Sequence, residues 1–491
     1  MGFGKCWFGA AVALAFGATA WGGTTTLDAD GGIRFDGKRW FPLGIYELPA
    51  DETGLARITD AGFNLVNSGL SASNMDRLAA KGLKAWAPIG GLAEVRDATG
   101  AKKLAEMAAS LKDHPALAFW EFPDEALWNV GYLPRLAFDR ERKEILELIS
   151  ARPAVAPDLP LLKSLYRELL AADAVRDLPK MEEKTGELWK VLGQPGRNAA
   201  TPLSSVPQRE GELFNHLMSG YMNLKAADPD HLIWQNHAPR NSRDLLARHA
   251  AYCDLIGCDI YPYPDYPGQG HTDLTDRTLS SVGAYTKRFS EIAPDKGILM
   301  VPQGFSWRAL SGVDEEYAAT EKGAPPTYLA SRFMAYDAIA RGANGLCYWG
   351  THSSKPDDPV WKGLVPVVQE LASLQDFLAE PEIPLPIRIE ATSSWNSQDK
   401  PVVCSARKAG EDWFFLFVNE LDAFQSVRVE LPPQFDGKRL YFLYENLYVE
   451  PVADSYVPLP MPRYGVRILT TRNDLEVEDL RALNRLLEEP F

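Results

Sequence analysis

Acids, amides and aromatic residues recur at one kind of place in this sequence, immediately after short apolar runs. Glu47, Asn67, Asp124 with Glu125, Asn236 with His237, Asp259 with Tyr261, Gln303 and Trp349 all stand there. Two carboxyl groups facing an aromatic-walled cleft are what acetal cleavage needs. One acid protonates the leaving oxygen, and a second stabilises or attacks the oxocarbenium-like centre. That chemistry requires no cofactor and no metal. Other chemistries lack their residues. The chain has no G-x-S-x-G elbow, no phosphate-cradling Walker loop and no G-x-G-x-x-G. Its seven His residues form no H-E-x-x-H, and His231 and His237 have the wrong spacing to share a zinc ion.

The apolar runs that carry these residues number eight: RWFPLGIY (39–46), FNLVNS (63–68), LKAWAPI (83–89), ALAFWEF (116–122), HLIWQNH (231–237), DLIGCDIYP (254–262), GILMVPQ (297–303) and NGLCYWG (344–350). Helical stretches such as SNMDRLAAKG and TYLASRFMAYDAIARGA lie between them and end at or near Gly. Eight βα units in succession predict a closed (β/α)8 TIM barrel rather than an open doubly wound sheet. In such a barrel the C-terminal ends of the strands share one face, so polar residues far apart in sequence converge there. One gap is abnormal, a helical and loop-rich insertion at about 129–212 between the fourth and fifth strands. Because it leaves from the C-terminal end of a strand, it is expected to stand over the site as a wall or lid.

Beyond LVPVVQELASLQDFLAE the pattern changes to alternating strands, among them RIEATSSW, PVVCSARKAG, DWFFLFVNE, SVRVELP, RLYFLYE and YGVRILTT. This predicts a small antiparallel β-sandwich. The expected organisation is a signal peptide over 1–20, the barrel over 21–380, the sandwich over 381–472 and a helical tail over 473–491. The signal peptide is read from one Lys before an apolar stretch ending in Ala18-Thr19-Ala20, which predicts export and a mature chain beginning near Trp21, secreted or periplasmic. The apolar stretch is shorter than the ~20 residues of a membrane-spanning helix.

Composition narrows the partners. With 51 basic and 66 acidic residues the formal charge is -15, and no long basic run exists to track phosphates, so nucleic acid is excluded. Four cysteines follow the leader, Cys253, Cys258, Cys347 and Cys404, at spacings that match no zinc motif, and they are expected to be buried small residues. The expected partner is a carbohydrate.

The order of strand-end motifs resembles the large clan of retaining (β/α)8 glycoside hydrolases, in its β-galactosidase-like and cellulase-like members. The resemblance spans about 30–470 as architecture, with a handful of matched positions. In Phe122-Pro123-Asp124-Glu125, Glu125 matches the clan's acid/base Glu after the fourth strand, and Asp124 replaces the Asn that usually precedes it. Tyr261, in CDIYPYP, matches the Tyr that orients the nucleophile, and Trp349, in GLCYWG, matches the Trp of the sugar platform. The chain departs from the clan at the seventh strand, where Gln303 replaces the nucleophilic Glu. A neutral amide forms no glycosyl ester.

Three readings remain open. Another acid serves as the second catalytic carboxylate, Asp259 or, as a second candidate, Asp124, with Glu125 as proton donor; or the substrate supplies its own nucleophile; or the barrel binds sugar without cleaving it, a pseudoenzyme. Asp259 lies two residues before Tyr261, so strand alternation aims both to one side. Asp124, Asn236, Tyr261, Gln303, Trp307, Trp349 and Glu47 are the expected substrate-lining residues. Plainer alternatives exist for several polar residues: Glu125 capping a helix, Asp259 pairing with backbone or an Arg, His237 satisfied at the rim, Glu121 buried against an Arg. A scaffold protein of the cell envelope would instead fill the cleft with side chains.

Overall fold

The computed structural model describes residues 23–196, 202–264, 274, 277–310, 323–351, 355, 357–391, 402–443, 447–452 and 455–473. The expected signal peptide, its cut near Trp21 and the expected C-terminal helix beyond residue 473 lie outside the described residues.

The chain opens with three short antiparallel strands, β1 (Thr25–Leu27), β2 (Ile33–Phe35) and β3 (Lys38–Arg39). Strands of two or three residues are too short to display alternation, so no periodic pattern marks them. They lie against the start of a barrel strand: Thr25 Oγ1 donates to the Ala118 carbonyl at 2.6 Å, and Trp40 stacks on Phe119 at 5.7 Å.

The barrel follows as expected, with eight parallel strands closed in chain order: β4 (Leu43–Ile45), β5 (Leu65–Asn67), β6 (Lys84–Pro88), β7 (Leu117–Glu121), β8 (Leu232–His237), β9 (Leu255–Ile260), β10 (Gly297–Pro302) and β11 (Gly345–Tyr348). Period-two alternation divides their residues between two cores. Leu65, Trp86, Phe119, Trp234, Leu255, Leu299, Val301 and Cys347 fill the barrel interior. Val66, Ala85, Trp120, Ile233, Ile256, Met300 and Leu346 pack outward against the helices. Gly257 on β9 has no room for a side chain, since a Cβ would stand 1.8 Å from the Leu299 carbonyl oxygen. Asp51, Ser71, Asp97 and Thr327 cap surrounding helices by accepting from backbone N–H groups three residues on.

Between β7 and β8 the helices Leu133–Ser150, Leu159–Ala174 and Leu178–Leu192 gather around a core of their own, including Phe138, Ile145, Leu162, Leu169, Met181 and Trp189. The next helix, Val206–Ala227, returns to the barrel and places Leu213, Leu217 and Leu224 in the main core. The barrel helix therefore takes up the last residues of the segment expected to be inserted.

The C-terminal part is the expected β-sandwich. One sheet runs β12 (Arg388–Ala391), β15 (Gln425–Glu430), β18 (Val457–Met461). The other runs β13 (Val403–Ala409), β14 (Asp412–Val418), β19 (Val466–Thr470), β16 (Leu440–Phe442), β17 (Tyr448–Val449). Alternation along DWFFLFV sends Phe415 and Phe417 into the sandwich core, while Phe414, Leu416 and Val418 join the barrel core. Strand β18 escaped the sequence reading because Pro458 and Pro460 interrupt it; as an edge strand it tolerates both. The described cysteines are all free, with Cys253, Cys258 and Cys347 buried and Cys404 partly so. Among the described residues no helix is long and apolar enough to cross a membrane, and no group of three or more His, Cys, Asp or Glu could hold a metal ion.

Candidate active site

The C-terminal ends of β7, β8 and β9 bring four of the expected residues into one hydrogen-bonded chain. The Asn236 side-chain amide donates to Asp124 Oδ1 at 2.8 Å and to Asp259 Oδ1 at 2.5 Å. Tyr261 donates its hydroxyl to Asp259 Oδ2 at 2.7 Å. Each amide hydrogen of Asn236 thus has its own acid, and Asp259 is gripped at both oxygens. Asn236 is fully buried, Asp259 is half-buried and Asp124 is open to solvent.

Glu125 follows directly after Asp124 and is half-buried, with a left-handed backbone at φ 49°. Its N–H donates to the Asn236 carbonyl at 3.2 Å, and its own carbonyl accepts from Trp128 N–H at 2.8 Å. A non-glycine residue in this region is strained, and its neighbours over-determine it. Burial, and then the Asp124 charge, push the Glu125 carboxyl up to about 7. Asp259 is raised well above the ordinary carboxylate range by burial, then by the charges of Asp124 and Glu125. Asp124 is raised as well, by the surrounding protein, against the opposing bond from Asn236. Three acids this close do not all ionise together, and the bonds that Asn236 and Tyr261 donate to the two oxygens of Asp259 oppose its rise by favouring its charged form.

A fourth acid lies deeper. Glu121 ends β7 and is 2% exposed, accepting from Trp86 Nε1 at 2.9 Å and from the Tyr46 hydroxyl at a long 3.5 Å. The expected Arg partner is replaced by an indole and a phenol. These offer hydrogen bonds but no positive charge, so burial together with Asp124 and Asp259 raises its pKa well above the usual range. Tyr46 and Trp86 had no signal as partners, since nothing in their local sequence marks which acid they meet.

Gln303 has a different task from the one expected. It is 1% exposed; its Nε2 donates to the Tyr263 carbonyl at 2.7 Å and the Phe305 carbonyl at 3.0 Å, while its Oε1 accepts from Tyr263 N–H at 3.0 Å. Both amide hydrogens are thus occupied by backbone. This position needs a donor and an acceptor on one side chain, which an amide has and a carboxylate lacks. Trp307, expected against a sugar face, is 5% exposed and meets Phe305 edge-on. Trp349 is half-buried and stacks on Tyr261 at 5.5 Å and 19°, with Phe305 set edge-on to both rings. Glu47 braces the next loop: it accepts from Gly350 N–H at 2.8 Å and from Thr351 Oγ1 at 2.6 Å. His237 points away from the mouth, fully buried and parallel to Phe289, and burial holds its pKa down at about 3. His237 therefore stays a neutral imidazole near neutral pH.

The structure brings together Asp124, Glu125, Asn236, Asp259 and Tyr261, with Trp349 stacked beside them. Gln303 and Trp307 are buried, and half-buried Glu47 is bound to Gly350 and Thr351.

Neither a protein-family model nor a curated protein matches the chain. Solved structures do. A family 5 glycoside hydrolase from Bacteroides vulgatus superposes with a TM-score of 0.52 at 11% identity, covering 93% of this chain and 95% of that one. A second glycoside hydrolase superposes at 0.51 with 13% identity, covering 91% and 96% respectively. At these identities the likeness establishes a shared fold, the eight-stranded barrel with its C-terminal β-structure.

Proposed function

We propose that the chain is an exported glycoside hydrolase, with Glu125 as proton donor to the leaving oxygen and Asp259 as the second carboxylate. The observation that carries the reading is the pairing of a carboxyl titrating at about 7 with a second acid bound at both oxygens, at the tips of β7 and β9. A general acid is most effective when its pKa lies near the working pH. The fold shared with two glycoside hydrolases supports the same reading. Neutral Gln303, with both amide hydrogens committed to backbone, does not supply the nucleophile or base, and Asp259 is favoured over Asp124 because it alone of the two is held at both oxygens by Asn236 and Tyr261. Asn236 and Tyr261 fix the rotamer of Asp259, and stacked Trp349 offers an apolar platform for a sugar face. Export rests on the N-terminal leader pattern, and sequencing the mature N-terminus checks it.

The test is turnover of a panel of 4-nitrophenyl glycosides. Glu125→Gln and Asp259→Ala are each expected to lower kcat by ~10²-fold or more on a substrate the wild type cleaves. Full activity in Asp259→Ala would remove that residue from the mechanism. A second reading, capture of carbohydrate without cleavage, draws on the amide at position 303. It requires binding of the same glycosides with no turnover that depends on Glu125.

A further inference from the structure

An aromatic stack next to Glu125 has no part in the chemistry above. Trp128 is tied to Glu125 through its N–H, one turn on, and Trp128–Tyr132 is wound as a single π-helical turn. Such wide turns in helices are frequent at functional sites. The Trp128 and Tyr132 rings lie 4.0 Å apart at 34°. Arg240 spans from the loop after β8: its guanidinium carbon stands 5.2 Å from the Tyr132 ring centroid, and it donates to the Tyr132 hydroxyl. Arg240 has a left-handed backbone, φ 72°, as Glu125 does at the tip of the adjacent strand. Strained backbone at two neighbouring strand tips therefore converges on this stack and on the proposed proton donor.

Trp86, Trp120 and Trp234 are completely buried, whereas Trp128, packed on Tyr132, is only half-buried, as Trp349 is. A large ring packed on another with apolar surface left in water suits a flat ligand, because little ordering entropy remains to be lost on contact. Its place in the barrel indicates which part of a ligand. β7 and β11 are four strands apart in a closed ring of eight, so the Glu125–Trp128 side of the mouth faces the Trp349 side, with Asp259 on β9 between them. If Trp349 and Tyr261 take the sugar whose bond is cleaved, the group beyond the proton donor lies towards Trp128.

We propose that Trp128, backed by Tyr132 and Arg240, is the platform for the leaving group, so that the substrate class is glycosides whose leaving group is itself a ring, a second sugar or an aryl alcohol. This rests on the hydrolase reading and extends it across the mouth.

The experiment compares, for a sugar the wild type turns over, the 4-nitrophenyl glycoside with the glycosyl fluoride, whose leaving group has no ring. Trp128→Ala is expected to lower kcat/KM on the aryl glycoside roughly tenfold and to change the fluoride by less than about twofold. Trp128→Phe, which keeps a ring, should recover most of the loss and guards against a folding defect. Equal losses on both substrates, or none on either, would overturn the platform. A wild type inert on both substrates defeats the hydrolase reading instead, and the platform is then read by calorimetry with phenyl and methyl 1-thioglycosides. Preference for the phenyl compound that disappears in Trp128→Ala upholds the platform, while indifference to the ring refutes it.

Discussion

The pH behaviour of the site is decided between two adjacent side chains. Glu125 keeps its proton up to about 7 because it is partly buried and because Asp124 stands next to it. A proton donor with a raised pKa is competent below that value and lost as pH rises through it, so kcat/KM is expected to fall above about pH 7. Neutralising the neighbour removes the smaller of the two causes. Asp124→Asn should move this alkaline limb to lower pH, and a pH–rate profile that stays in place would show that Asp124 does not hold the proton on Glu125. The sequence exposed the Asp124-Glu125 pair at once. It gave no means of deciding between catalysis and a helix cap, because burial, the larger of the two causes, is supplied by chain distant in sequence, including Asn236, whose carbonyl accepts from the Glu125 N–H.

At the scale of elements, Gln303 is the fastening between β10 and the segment that follows β9. Its three bonds reach Tyr263 and Phe305; a carboxylate would lose the two donated to the carbonyls and keep only the one accepted from Tyr263 N–H. Gln303→Glu is therefore expected to lose about 2–3 kcal/mol of stability, as for buried groups left without partners. Because a protonated Glu can still serve one carbonyl, the loss should be greater at pH 8 than at pH 5. Urea unfolding at both pH values measures it, and an unchanged midpoint would show that the fastening carries no load. All eight barrel strands were legible because apolar runs bounded by helical periodicity are a local signal. β1 to β3 and β18 were not, since the first three are too short for a period and the last is broken by prolines that only an edge strand accepts.

At the scale of the whole molecule, ion pairs accompany the apolar packing of Phe414, Leu416 and Val418 at the junction of barrel and sandwich. Glu370 is fully buried and accepts from Arg332 Nη2 at 2.8 Å, from Arg332 Nε, and from the Tyr336 hydroxyl at 2.8 Å. The same Arg332 reaches across to the Val466 carbonyl of β19 at 3.1 Å. Arg341 and Glu420 form a second, bidentate pair across the junction at 2.7 and 2.6 Å. Glu370→Ala leaves a buried guanidinium without its counter-charge, and a loss of about 3–5 kcal/mol is expected, read as a lowered Tm. Arg332→Met combined with Glu370→Leu should cost less than the single change, since no uncompensated charge remains. A double variant as unstable as the single one would mean that the bridge to Val466 matters more than the charge.

The sequence by itself determined the barrel, the sandwich behind it and the gathering of acids, amides and aromatics at one face. Each of these follows from periodicity along the chain, and in a parallel barrel every strand ends at the same mouth. Tertiary structure alone decided which of those side chains meet the cleft and which support it. It turned Gln303 and Trp307 inward as supports, gave Glu121 an indole and a phenol in place of an arginine, and left Trp128 half-exposed beside Glu125. The reason is physical: burial, charge state and hydrogen-bond satisfaction are set by neighbours in space, and in this fold those neighbours come from other strands, tens to hundreds of residues away.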